Sequence, residues 1–243
     1  LANYRDVLQD RTFWQALTNT LVLSGGMIAL GVIIPFIVAI ALHEVPFAPL
    51  RKLTQTIIYT PHLFSWVVVG GIWIQVLSPT RGLVNEVIKL FGARPIHFLA
   101  DTGWIRPTLI LLNSWKGTGY NAVIYYAALS SLDPQIYEAA TVDGASRWQK
   151  ITKLTVPLLL PTVGVVFMLS AVGALRIFDQ VFILRNAATT RTINVLMTYV
   201  YDLGMVQFRL GMSTAASFLV TLVGLFTVGF LRKAMRVDQT DLA

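Results

Sequence analysis

The chain contains no cysteine, so it holds no disulfide, no cysteine-ligated zinc and no thiol nucleophile. Its three histidines, His43, His62 and His97, are scattered and have no second ligand at metal spacing, so no metal site is expected. Charge is equally scarce. Asp, Glu, Lys and Arg make up 13% of the 243 residues against 55% hydrophobic, about half the charged share of an ordinary soluble domain. A formal charge of +7 would suit nucleic acid if it formed one stripe. Here Lys and Arg stand between and beside apolar segments, as they do in the loops of a membrane protein.

Long apolar runs take the place of charge. Crossing a bilayer needs about 20 mostly apolar residues, because each backbone polar group must be bonded internally where water is absent. Five stretches qualify, at roughly 17–42, 53–77, 105–129, 158–178 and 213–231. A soluble helical core would show a polar face on most helices, and "VIIPFIVAIAL" and "ASFLVTLVGLFTVGFL" have almost none. The expectation is an all-α polytopic membrane protein with about five transmembrane helices, forming a single transmembrane domain over 1–243.

An odd number of spans puts the termini on opposite sides. With 43–52, 130–157 and 232–243 in the cytoplasm, the inner segments carry Lys and Arg more densely than the outer ones, and "RKAMR" follows the last span directly. The N terminus is then outside and the C terminus cytoplasmic. The opening "LANYRDVLQDRTFWQA" starts without Met and lacks a signal peptide's apolar core, so an earlier segment is expected to precede it. Of the outer connections, 78–104 brackets a short helix, Leu83–Phe91, between turn formers. The other, 179–212, has Ile193, Leu196, Met197 and Val200 at helical spacing, a helix lying at the outer surface or partly in the membrane.

The inner loop 133–157 is dense in local signals. Asp133 before Pro134 starts a helix: the carboxylate accepts free N–H groups, and proline at the first position gives up no needed donor. "PQIYEAATV" continues it, and Asp143-Gly144 ends it, since glycine tolerates the left-handed closing conformation. Ser146 and Gln149 have the spacing of a capping box. They open a second helix expected to run to about Lys153, with Pro157 stopping it or beginning the next span. An amphipathic connector on the headgroups and a docking element for a partner both fit this pair of helices.

Polar residues at membrane depth are costly and mark functional candidates. Lys116 lies about 16 Å along a helix from Ile105, near mid-bilayer. Asn113, Lys116 and Tyr120 share a face there, suited either to lining a polar path or to bonding neighbouring helices across the small Gly117, Thr118 and Gly119. Trp66 and Trp73 share a face of the second span, with His62 one turn earlier and Pro61 able to kink the helix. They suit either sugar stacking or ordinary packing.

Written out, the loop reads Glu138-Ala139-Ala140, three residues, Gly144, nine residues, Leu154-Thr155-Val156-Pro157. This resembles the "EAA" signature of permease subunits in bacterial ABC importers, with Val156 where leucine is usual. "FWQALTNTLVLS", "WKGTGYNAVIYYAALSSLDPQIYEAATVDGAS", "RIFDQVFIL" and "GMSTAASFLVTLV" look like landmarks of the carbohydrate-importing branch, the family of the maltose permeases. Permeases for oligo- and polysaccharides, alginate among them, are the nearest in kind. The resemblance implies an inner-membrane subunit that forms a sugar translocation path. It also implies a second permease as heterodimer partner, two cytoplasmic ATPase subunits that bind ATP and Mg, and an external solute-binding protein. Carried over residue by residue, Glu138, Ala139, Ala140 and Gly144 become the ATPase-docking residues.

No catalytic residue and no cofactor is expected in this chain. It lacks the glycine-rich Lys-Ser/Thr loop that cradles phosphates, and its Gly-Thr-Gly at 117–119 lies within a membrane segment. The rivals are an importer of another solute and an intramembrane enzyme, although no span shows paired catalytic groups. An ion channel lacks support because no filter motif appears.

Overall fold

The computed structural model describes residues 1–174 and 176–234. They are helical with no strand among them, as an all-α membrane chain requires. In chain order the helices are α1 (Ala2–Gln9), α2 (Arg11–His43), α3 (Ala48–Leu63), α4 (Trp66–Val76), α5 (Leu83–Leu90) and α6 (Ile105–Ser130). They continue with α7 (Pro134–Val142), α8 (Arg147–Lys150), α9 (Val156–Ala174), α10 (Asp179–Leu184), α11 (Thr190–Ile193), α12 (Leu196–Tyr201) and α13 (Leu210–Ala234). Among the described residues, α2 and the continuous helix Arg147–Ala174 are each long and apolar enough to cross a membrane, and α3 with α4 meet that criterion only as a bent pair, with the geometry of a broken span or a re-entrant loop. The end of "RKAMR", Met235 and Arg236, lies outside the described residues.

Two expected spans differ from what is observed. The stretch 53–77 is two helices, because the chain leaves helical geometry at Phe64 and Ser65, and the Ser65 hydroxyl caps α4 through the Val68 N–H. His62 therefore does not sit one turn before Trp66 on a common helix. The span placed at 158–178 begins much earlier and its helix ends at Ala174. It starts at Arg147 and passes through one wide π turn, Ile151–Thr155, into α9. Pro157 does not interrupt it. Proline has no N–H and its ring crowds the carbonyl four residues back, and a wider turn just upstream relieves that crowding.

Packing divides the described chain into two compact units, one formed by Leu1–Ile28, Phe64–Asn113 and the residues from Ala171 onward, the other by Ala29–Leu63 and Ser114–Ser170. In the first unit one apolar cluster gathers Leu23, Leu109, Val181 and Ile193, and another gathers Val7, Phe13, Tyr199 and Ala216. Asp10 joins α1 to α2: its carboxylate accepts the Thr12 N–H and the Tyr199 hydroxyl, each at 2.8 Å. Burial alone would raise this carboxyl, but those bonds and nearby Arg209 outweigh it and hold it below its ordinary value.

The helix expected around Ile193–Val200 is interrupted in this unit. The chain leaves helical geometry at Asn194 and Val195, and α12 begins afresh with the Thr198 hydroxyl accepting the Val195 N–H at 2.8 Å. The carbonyls freed by the break need donors, as any buried backbone group does. Buried Asn19 of α2 supplies them, donating to Arg191 and Asn194 carbonyls at 3.0 and 2.9 Å, while Arg106 donates to the Thr192 carbonyl and to Asn19 Oδ1.

The second unit is built around Ala39, Tyr125, Leu129, Leu159 and Val166. Pro35 lies inside α2, which leaves the carbonyl four residues earlier, that of Gly31, without its helical donor. Asn121 of α6 donates to that carbonyl at 2.8 Å. The close approach of α3 to α6 rests on Gly119, where a Cβ would fall 2.4 Å from the Ile58 carbonyl oxygen and 2.7 Å from the Tyr59 Cα.

Candidate functional site

The loop at 133–157 forms as its caps dictate. Asp133 accepts the Gln135 N–H at 2.9 Å, Pro134 is the first residue of α7, and α7 ends at Val142. Gly144 takes φ +76, a conformation that most residues with a Cβ avoid. The Ser146–Gln149 capping box is present in both directions. What the sequence did not disclose is that the second helix has no end of its own and is the opening of the span. The Tyr137 hydroxyl meets the Thr155 hydroxyl at 3.0 Å, tying α7 to the π turn.

Glu138 and Ala139 are exposed on α7, Ala140 is partly so, and Gly144 is exposed at the turn. No residue of α7 is buried. Val142 at 88% and Trp148 at 70% exposure flank the turn with apolar surface. The four candidate docking residues thus lie together along one short helix and its closing turn, open to a partner.

The candidate path residues divide between the two units. In one, Lys116 and Tyr120 both meet His62. The Lys116 ammonium donates to the His62 carbonyl at 3.2 Å, and the Tyr120 ring stacks on the imidazole at 4.8 Å. His62 is in the last turn of α3, whose terminal carbonyls have no helical donor and carry the negative end of the helix dipole. A mostly buried ammonium is the matching cap for such an end. In the other unit Asn113 Oδ1 accepts from Gln180 of α10 at 3.2 Å. Trp66 and Trp73 pack, partly buried, against the cluster around Leu109 and Val181. Among the described residues no group of acidic, His or Cys side chains is arranged to hold a metal ion.

A family model described as "Binding-protein-dependent transport system inner membrane component" matches residues 31–235. The chain belongs to that family. This permease is 36% identical, over 94% of its own length and 71% of the relative's, to the polygalacturonan/rhamnogalacturonan transport system permease protein YteP of Bacillus subtilis (strain 168). It is 28% identical to the trehalose/maltose transport system permease protein MalF of Thermococcus litoralis, over 96% and 78% of the two chains. Among solved structures, a bacterial ABC transporter involved in the import of the acidic polysaccharide alginate matches at 35% identity with a TM-score of 0.93. That match covers 98% of this permease and 84% of the other chain.

Two constellations in the permease have no local sequence signal. Arg185 and Asp202 form a two-pronged ion pair at 2.8 and 3.0 Å beside the rings of Phe178, Phe182 and Tyr201, with the guanidinium 4.7 Å over Phe182. Arg147 of α8 pairs with Glu44, the residue after α2. Partners 17 and 103 residues apart lie beyond the reach of any helical period.

Proposed function

We propose that this permease forms the translocation path for an oligosaccharide or polysaccharide fragment and takes its motion from separate cytoplasmic ATPase subunits, which bind ATP and Mg. The observation that carries this reading is the match at TM-score 0.93 over 98% of the chain to a subunit of an alginate importer. The identity to YteP, named for polygalacturonan/rhamnogalacturonan transport, supports the cargo class.

Glu138, Ala139, Ala140 and Gly144 are the ATPase-docking residues, a role supported by their exposure on a capped helix and turn. The complex comprises this subunit, a second permease, two ATPase subunits and an external solute-binding protein. The N terminus lies outside and the C terminus in the cytoplasm, with about five spans, one of them broken between α3 and α4. Asn113, Lys116, Tyr120, Trp66 and Trp73 are the path candidates. Lys116 combines that role with capping α3, since one ammonium has three donors. The subunit itself performs no catalysis.

An importer of another solute is the second reading, because a docking loop reports the engine and not the cargo. Reconstituted complex with its binding protein separates the two. Uronate oligosaccharides, neutral maltooligosaccharides and free amino acids are offered in turn while ATP hydrolysis is followed. Stimulation by an oligosaccharide is the expected outcome; stimulation by amino acids alone would overturn the sugar reading.

A further inference from the structure

The end of α2 and the start of the Arg147–Ala174 helix meet through charge. Glu44 follows the last residue of α2, where the helix's negative end disfavours a carboxylate, and Arg147 opens a helix whose positive end disfavours a cation. Each charge is misplaced on its own helix and correctly placed against its partner's. The Arg147 guanidinium bonds the Glu44 carboxylate directly. Around the pair, Ile37, Ile40 and Ala41 of α2 and Trp148 and Ile151 of the loop line an open groove. The two helices do not close on each other there.

Exposed ion pairs add little to stability, and Arg147 is 68% exposed in its side chain. The position of this one is its distinguishing property. It joins the end of α2 to the loop three residues past the Gly144 turn, while the Tyr137–Thr155 bond holds the loop's own two helices together. We propose that the Glu44–Arg147 pair is a positioning link that transmits displacement of the loop to α2. Neither residue touches solute in this role. The inference rests on the docking reading of the loop, since it needs the ATPase subunits to move it.

No cysteine in this sequence competes with an introduced thiol, so single labels report their own positions once the cysteines of the partner subunits have been replaced. In the reconstituted complex, a spin label on Ile37→Cys reports α2, and thiol labelling of Val142→Cys reports docking. Trapping the ATPase subunits with ATP and vanadate is expected to change the Ile37 label's mobility. Glu44→Lys and Arg147→Glu should each reduce that change by more than half, Glu44→Gln should reduce it less, and Glu44→Lys with Arg147→Glu together should restore it. Full response in Glu44→Lys, or no restoration in the paired exchange, would overturn the link. Protection of Val142→Cys by the ATPase subunits tests the docking reading separately: labelling unchanged by their presence would sink docking, whereas protection with an unaltered Ile37 response would sink the link alone.

Discussion

The loop at 133–157 and the polar residues inside the spans use hydrogen bonds in opposite ways. In the loop, donors and acceptors two or three residues apart satisfy each other, as Asp133 does for Gln135 and Ser146 for Gln149. In the spans, a side chain on one helix satisfies a backbone group on another, as Asn121 does for Gly31 and Lys116 for His62. Water explains the difference. A loose loop end can bond solvent, whereas the carbonyls freed by Pro35 and by the end of α3 are covered by α6 and find their donors there. The polar residues of the spans are therefore in part repairs to helices that the chain has deliberately broken or bent.

The largest expected effect tests how closely those repairs need the helices to approach. Gly119→Leu drives a side chain against backbone atoms of Ile58 and Tyr59, which cannot rotate away. A loss of about 3 kcal/mol or more is expected, seen as a lower unfolding temperature in detergent. Wild-type thermal behaviour would mean that α3 and α6 need no such contact.

An intermediate effect sharpens the repair argument itself. Asn121→Leu removes the donor to the Gly31 carbonyl and should cost about 1 kcal/mol, the usual worth of an interhelical polar bond in a membrane. In a Pro35→Ala background the helix supplies that donor, so the same substitution should cost measurably less. Equal costs in both backgrounds, by the same unfolding measurement, would refute the pairing of defect and repair.

The smallest effect belongs to the loop. Ser146→Ala removes a cap in contact with water and should cost about 0.5 kcal/mol. Amide exchange at Gln149 is expected to quicken about twofold, with the global unfolding temperature unchanged. A shift in global stability would place the loop in the same class as the spans.

This contrast also explains what could be read in advance. The boundaries of α7, the positive φ at Gly144 and the capping box were legible because each signal lies within four residues of its partner. The all-α class was legible because apolarity over a long run depends on composition alone. The break at Phe64–Ser65 was hidden by that same apolarity, since a hydrophobic stretch reports its length and not its continuity. The available hints were Pro61, a proline able to kink the helix, and Ser65 before Trp66, a serine at the start of the next one. A lysine among apolar residues marks itself as costly, but the contact of Lys116 at His62 lies 54 residues away. Nothing near Glu44 in sequence marks it, and its partner Arg147 lies 103 residues away. The interruption at Asn194 was masked by side chains that keep helical spacing across it.

The π turn at Ile151–Thr155 fixes the angular phase between the two ends of one rod. An α-helix turns by about 100° per residue, and a wide turn accommodates one residue more than the regular path. Arg147 and Trp148 are thereby aimed in a direction that an uninterrupted helix of the same length would not give them. Removing a single residue from that turn would return the rod to a regular helix with both ends keeping their faces, whereas closing the wide turn at unchanged length would swing the Glu44 partner and the loop's exposed tryptophan about a quarter of the way around the helix axis.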